Sequence, residues 1–285
     1  MRVLTIIGTR PEAIKMAPVI AKLNQTKGIE HFCCVTGQHR QMLDQILGIF
    51  SLRPDDNLKL MVSDQTPSSF ASLALAALSQ VIAKRQPDWV FVQGDTVSAL
   101  AGALAAFYAG VKVAHVEAGL RTGDLGSPWP EEGNRKVVSA VASLHFAPTA
   151  IAESNLLREN VSPASIHLTG NTVIDSLHTI VERISTDANL HKQLAGQFSF
   201  LDHRRIILVT GHRRENFQHG GLMSMCEALK QIARRGDVQI VYPVHMNPNV
   251  QEQVRSVLSD VQNVHLIGPL EYPSFVYLRR AATRE

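Results

Sequence analysis

Four short, mainly apolar runs in this chain each stop abruptly at residues able to do chemistry. Val3–Ile7 leads into Gly8-Thr9-Arg10-Pro11-Glu12, and Trp89–Val92 leads into Gln93-Gly94-Asp95-Thr96. Val111–Val116 leads into Glu117-Ala118-Gly119, and Ile206–Val209 into Thr210-Gly211-His212-Arg213-Arg214-Glu215-Asn216. Runs of this length, separated by helix-length segments, mark strands buried on both faces of a parallel sheet, so the expected fold class is α/β. Ligands of such sheets bind outside the carboxyl ends of the strands. Bases, acids and a histidine gathered there point to a site for an anionic substrate.

The alternation runs through the chain twice. The first half predicts strands near 2–8, 31–36, 88–93, 111–116 and 144–147, with helices near 11–24, 39–49, 67–85, 96–109, 131–143 and 149–159. The second half restarts with strands near 205–210, 238–243 and 264–267, and helices near 219–235 and 248–259. A length of 285 residues favours two domains, expected at 1–168 and 169–285. The polar stretch from Ser185 to His203 shows no clear apolar face and reads as linking chain. Only three strands can be counted after residue 200, and the chain stops soon after a helix that starts at Pro273. A sheet ending there would keep an unpaired edge and an uncovered apolar face, so the second domain reads as incomplete.

Composition narrows the partners. A formal charge of +3, with basic residues occurring singly or in pairs, argues against nucleic acid. Cys33, Cys34 and Cys226 lack metal-type spacing and read as reduced thiols of a cytoplasmic protein. No window is long and apolar enough to span a bilayer. The opening Met1–Ile7 runs quickly into Arg10, Glu12 and Lys15, so it reads as a first strand and not as a signal peptide.

Each constellation has a bland reading beside the chemical one. Thr9 and Glu12 have capping-box spacing with Pro11 in the first turn, which makes Glu12 structural. Arg10 and Lys15 oppose the macrodipole at that helix start, each at a cost of ~0.3–1 kcal/mol if exposed. A bound phosphate reverses that sign. Neither a dinucleotide fingerprint nor a P-loop is present, so NAD- and ATP-dependent readings lose support. Asp95 can be a helix cap and Glu131 a helix-start acid. Together with Glu117, however, they end successive elements of one sheet and are expected to converge. Crowded acids cannot all ionise easily, which supplies one base and one neutral acid. His212 closes the first strand of the second half and is suited to stabilising a leaving anion; His245 also ends a strand, with weaker support.

The chain resembles a family through Gly8-Thr9-Arg10-Pro11-Glu12-Ala13-Ile14-Lys15, Gly37-Gln38-His39, Gly94-Asp95-Thr96 and His115-Val116-Glu117-Ala118-Gly119-Leu120-Arg121. Pro130-Glu131-Glu132, Asn134-Arg135, Phe146-Ala147-Pro148-Thr149, Gly170–Asp175 and Gly211–Asn216 continue the match in order, to about Tyr277. That family is the bacterial non-hydrolysing UDP-N-acetylglucosamine 2-epimerases. The resemblance implies two Rossmann-like domains of glycosyltransferase-B architecture with the active site between them. It implies an isomerase that interconverts UDP-N-acetylglucosamine and UDP-N-acetylmannosamine for surface polysaccharide synthesis, without NAD or a required metal, typically as a homodimer.

By position, the family's substrate contacts fall on Arg10, Lys15, Asp95, Glu117, His212, Leu270 and Phe275, with Leu270 standing where some members carry glutamine. Its acid/base residues fall on Asp95, Glu117 and Glu131, with His212 beside the diphosphate. Members with a second, regulatory UDP-sugar site use positions matching Gln38, Gln41, Arg213 and His245. The family continues for nearly another hundred residues, including an Asp-Ser-Gly-Gly segment, so this chain is expected to be impaired. A retaining glycosyltransferase, a hydrolysing epimerase and a non-catalytic UDP-sugar-binding remnant are the competing readings.

Overall fold

The computed structural model describes the chain apart from residues 38–39, 63, 211–220 and 284–285, and the side chains of residues 40–42. It divides into two compact units, Met1–Ser176 and Leu177–Glu285.

The first unit is built on seven strands: β1 (Arg2–Ile7), β2 (Glu30–Val35), β3 (Asp56–Asn57), β4 (Trp89–Gln93), β5 (Lys112–Val116), β6 (Leu144–Ala147) and β7 (Ile166–Leu168). Their order is β3-β2-β1-β4-β5-β6-β7, and every neighbouring pair is parallel. Six helices connect them: α1 (Arg10–Gln25), α2 (Arg40–Ile49), α3 (Pro67–Arg85), α4 (Val97–Tyr108), α5 (Glu131–Val141) and α6 (Ala150–Arg158). The strand order reverses between β1 and β4. In a doubly wound sheet that reversal opens a crevice at the carboxyl ends of the two strands.

Sequence chemistry explains how tightly that crevice is backed. Leu4, Ile6, Val90 and Val92 are fully buried, and each contributes roughly 1.5–3 kcal/mol through burial. Helix α4 covers them with a small-residue face of Ala99, Ala101, Gly102, Ala103, Ala105 and Ala106. A Cβ on Gly102 would come within 2.8 Å of Ile6 Cδ1, so the helix lies directly on β1 and β4. Thr96 starts α4, accepting the Ala99 amide at its hydroxyl, 3.0 Å away.

The second unit carries β8 (Arg205–Leu208), β9 (Val238–Pro243) and β10 (Val264–Ile267), parallel in the order β10-β9-β8. Its helices are α8 (Ala188–Gln197), α9 (Gly221–Ala233), α10 (Pro248–Leu258) and α11 (Tyr272–Ala282), while α7 (Val173–Thr186) crosses from one unit to the other. The expected linker at 185–203 is corrected here, because α8 lies within it. Asp187 caps that helix by accepting the Asn189 and Leu190 amides. Leu194 and Phe198 are buried. One apolar residue per turn is enough to dock a helix, but too narrow a stripe to show as amphipathic.

The expected bare face is corrected as well. Alternate residues of β9 supply the two sides: Ile240 and Tyr242 pack with Leu222, Leu229 and Val254. Val241 packs with Phe198, Leu278 and Tyr277 on the other. Helix α11 therefore contributes to a covered second face, and among the described residues β8 and β10 each pair with β9 alone. The short β3 and β7, and α7, were also absent from the sequence expectation; two- and three-residue strands give no periodicity to read. Among the described residues no helix is long and apolar enough to cross a membrane.

Candidate active site

The carboxyl ends of β1, β4 and β5 carry the charged residues singled out above. Arg10 opens α1, with Lys15 further along the same helix. The Lys15 ammonium donates to Glu117 Oε2 at 2.5 Å, and Gln93 Nε2 donates to the same oxygen at 2.5 Å. Asn171 Nδ2 donates to Glu117 Oε1 at 2.7 Å. Both oxygens of Glu117 are thus engaged, one by a charge-assisted bond. Glu117 itself has φ +62°, a left-handed backbone that is rare for a non-glycine residue and concentrated at functional sites. The next turn residue but one, Gly119, has φ +88°, and a Cβ there would meet the Ala152 carbonyl oxygen of α6 at 2.2 Å. Only glycine fits this close crossing.

Asp95 is not the helix cap that its position allowed, since Thr96 takes that role. It instead receives the Arg135 guanidinium from α5, and its backbone carbonyl receives Asn134 Nδ2 at 2.9 Å. Arg135 also reaches the buried Glu132 at 3.3 Å. Burial acts to raise the Glu132 carboxyl, but the Thr122 and Gly123 amides and Arg135 outweigh it and hold the group below its ordinary range. Glu131 sits in the first turn of α5. It lines a cavity of about 660 Å³ together with Thr9, Thr96, Asn134, Phe70, Met61, Val62 and residues 64–67. The structure therefore brings Lys15 directly to Glu117, and ties Asp95 to the helix that carries Glu131.

The capping-box expectation needs correction. Thr9 occupies the cap position of α1 without a side-chain cap bond. Glu12 reaches back past it, accepting the Gly8 amide at 3.1 Å and the Thr96 hydroxyl at 2.9 Å. Burial pushes the Glu12 carboxyl from 4.5 up to about 7, against the lowering pull of its bonds to Thr9, Thr96 and Gly8. On β5, fully buried His115 is held neutral, lowered to about 3 by burial. As a neutral ring its Nε2–H donates to the Gly94 carbonyl at 2.7 Å, bracing the turn before Asp95.

Gln93, His115, Asn134, Arg135 and Asn171 had no assigned role in the sequence reading. The available signal was position: each stands at a strand end or within a motif next to an assigned acid. In the second unit, the exposed His245 accepts the Asn247 amide at Nδ1, 3.1 Å away. Phe275 is half-buried on α11, and Leu270 packs its side chain with Phe198, Val241 and Leu278. Gln38, His212 and Arg213 lie outside the described residues, as does the side chain of Gln41. Among the described residues no three His, Cys, Asp or Glu side chains are grouped as metal ligands.

Comparison with known proteins matches residues 21–284 to the family described as UDP-N-acetylglucosamine 2-epimerase. The UDP-N-acetylglucosamine 2-epimerase of Escherichia coli K12 is 50% identical over 284 residues, which cover 99% of this chain and 75% of the relative. That of Campylobacter jejuni is 45% identical over 282 residues, covering 97% and 73%. The crystal structure of the Neisseria meningitidis UDP-GlcNAc 2-epimerase bound to UDP-GlcNAc superposes with a TM-score of 0.91 at 43% identity, covering 98% of this chain and 75% of that one. The Methanocaldococcus jannaschii enzyme, in complex with UDP-GlcNAc and UDP, gives 0.81 at 31% identity, covering 99% and 77%. The fold class is accordingly that of two Rossmann-like units of glycosyltransferase-B type.

Proposed function

The chain belongs to the UDP-N-acetylglucosamine 2-epimerase family, and from that premise we propose how its residues interconvert UDP-N-acetylglucosamine and UDP-N-acetylmannosamine. The C2 hydrogen of the sugar has no adjacent carbonyl to acidify it. Departure of UDP from C1 solves this: the C1–O bond pair leaves with the diphosphate, and positive charge at C1 loosens the C2 hydrogen. A carboxylate takes that proton, and the C2–H pair becomes the C1–C2 double bond of a 2-acetamidoglucal. Protonation at C2 from the opposite face, with return of UDP to C1, inverts the centre.

Arg10 and Lys15, at the start of α1, are suited to hold the departing diphosphate together with the helix amides. His212 is assigned the same task on the second unit, where Leu270 and Phe275 are further proposed substrate contacts. The three acids are not equivalent. Glu117 has both oxygens committed to Lys15, Gln93 and Asn171, so its role is to anchor the ammonium. Asp95 and Glu131 then carry the protons, one on each face of the sugar. The observation that carries this division is the lacing of α5, which grips Asp95 through Arg135 while presenting Glu131 to the cavity. No cofactor enters the scheme.

The buried free thiols of Cys33, Cys34 and Cys226 support a reducing, cytoplasmic setting. A homodimer, and a regulatory UDP-sugar site at Gln38, Gln41, Arg213 and His245, remain part of this reading through family membership. Incubation with UDP-N-acetylglucosamine in deuterated water should place deuterium at C2. Asp95→Asn should lower that exchange by ~10²–10⁴-fold while nucleotide-sugar binding survives. Unchanged exchange in the variant would remove Asp95 from proton transfer, and sugar transfer to an acceptor without C2 exchange would replace the epimerase reading altogether.

A further inference from the structure

Glu12 stands at the crevice yet takes no part in the chemistry just described. Its carboxylate is 1% exposed and joins two loops that meet at the strand-order reversal. Oε2 accepts from Gly8, in the β1 loop that leads to Arg10, and Oε1 accepts from Thr96, next to Asp95 in the β4 loop. The direction of the second bond is fixed by Thr96, whose oxygen already accepts the Ala99 amide and whose hydrogen is therefore left to point at Glu12. An ionised Glu12 thus links the first amides of α4 to the end of β1 through one hydroxyl.

We propose that Glu12 is a positioning residue for epimerisation: its carboxylate sets the register of the Arg10 and Asp95 loops, and a proton on it slackens that register and slows turnover. The inference rests on the epimerase reading above. A neutral acid must place its own hydrogen. The oxygen that carries it, Oε1 facing the Thr96 hydroxyl or Oε2 facing the Gly8 amide, becomes the poorer acceptor, so one of the two bonds is weakened or reversed in either case.

The change falls in the working range, because burial holds the Glu12 carboxyl near about 7. Neighbouring charges are occupied elsewhere. On its own helix Lys15 is paired with Glu117, which follows β5; after β4, Asp95 is paired with Arg135 of α5, and Arg135 also meets Glu132. Arg10 on α1 and Glu131 on α5 are the remaining charged groups of these elements at the crevice. The groups bonded to Glu12 itself, from Gly8, Thr9 and Thr96, are amides and hydroxyls, all neutral.

The test follows C2 exchange against pH, from roughly 5.5 to 8.5, at saturating and limiting UDP-N-acetylglucosamine, alongside the ¹³C shift of the Glu12 carboxyl. The parent should lose kcat on the acid side with the midpoint at which the Glu12 carbon titrates, while KM moves little. Glu12→Gln, which keeps the shape and mimics the neutral acid, should show kcat lowered ~10- to 100-fold with that acid limb gone. Thr96→Ser should retain the limb and Thr96→Val should lose it, a contrast that general weakening of the fold would not produce. An unchanged limb in Glu12→Gln, or a Glu12 carbon titrating in the ordinary carboxylate range, overturns the role of Glu12 alone. Absence of exchange in the parent overturns the epimerase reading with it.

Discussion

Two glutamates that follow strands β1 and β5 of one sheet have both oxygens engaged, and they are held in opposite ways. Glu117, after β5, receives an ammonium and two side-chain amides. Glu12, in the first turn of α1, receives amides and hydroxyls of Gly8, Thr9 and Thr96, with no cation. The first has a counter-charge 2.5 Å away built into the fold. The second is left close to balance between its charged and neutral forms, because burial opposes ionisation and only neutral dipoles favour it. A strand-end acid in this fold is therefore not defined by its height in the sheet. What its oxygens receive decides whether it is an anchor or a proton-sensitive joint.

The anchored side of this comparison depends on Gly119, which lets the chain after Glu117 pass beneath α6. Gly119→Ala adds a Cβ against a backbone carbonyl and forces a left-handed backbone, so it should cost ~3–5 kcal/mol in urea denaturation and abolish exchange. A loss below ~1 kcal/mol would show that the β5 end is not rigid, and the contrast with Glu12 would fail. Lys15→Met attacks the same side electrostatically, leaving Glu117 without its cation. Stability should fall by ~2 kcal/mol, short of the full cost of breaking a buried pair because Lys15 keeps 24% of its side-chain exposure. Adding Glu117→Gln should recover part of that loss in a double-mutant cycle. Additive losses would mean that the pair contributes nothing as a pair.

The sheet was legible because buried parallel strands write themselves as apolar runs, and β1, β4, β5, β8, β9 and β10 all do so. The strand-end acids were legible for the same reason: they are what stops each run. The partners were harder to see, because Lys15 meets Glu117 across 102 residues and Arg135 meets Asp95 across 40. A sequence shows which residues end a strand but not which strands are adjacent, and that adjacency decides which side chains touch. Glu12 is the sharpest case. Its spacing from Thr9 fitted a local cap, yet it also bonds Thr96, a residue reachable only once β1 and β4 are known to be neighbours. Helix α8 escaped for a different reason, having a single buried residue, Leu194, in a polar stretch.

A pH series isolates the proton-sensitive side. A carboxyl raised from 4.5 in the unfolded chain to about 7 in the folded one binds more protons when folded across that interval. Stability therefore falls as pH rises from about 4.5 to about 7 and then levels off, with a ceiling of ~3 kcal/mol. His115 has the opposite slope: its folded value of about 3 lies below the ordinary 6.5, so it favours the folded state increasingly as pH rises between them. The two slopes oppose each other in the parent, but subtracting parent from Glu12→Gln removes the histidine. The variant also gives up hydrogen bonds made to the acid, a loss that does not change with pH. Its stability relative to the parent should therefore rise between about pH 4.5 and about pH 8 by up to the ~3 kcal/mol ceiling, measured by urea denaturation at each pH. A difference that stays constant with pH would mean that Glu12 does not titrate in this range, and the contrast between the two glutamates would fail.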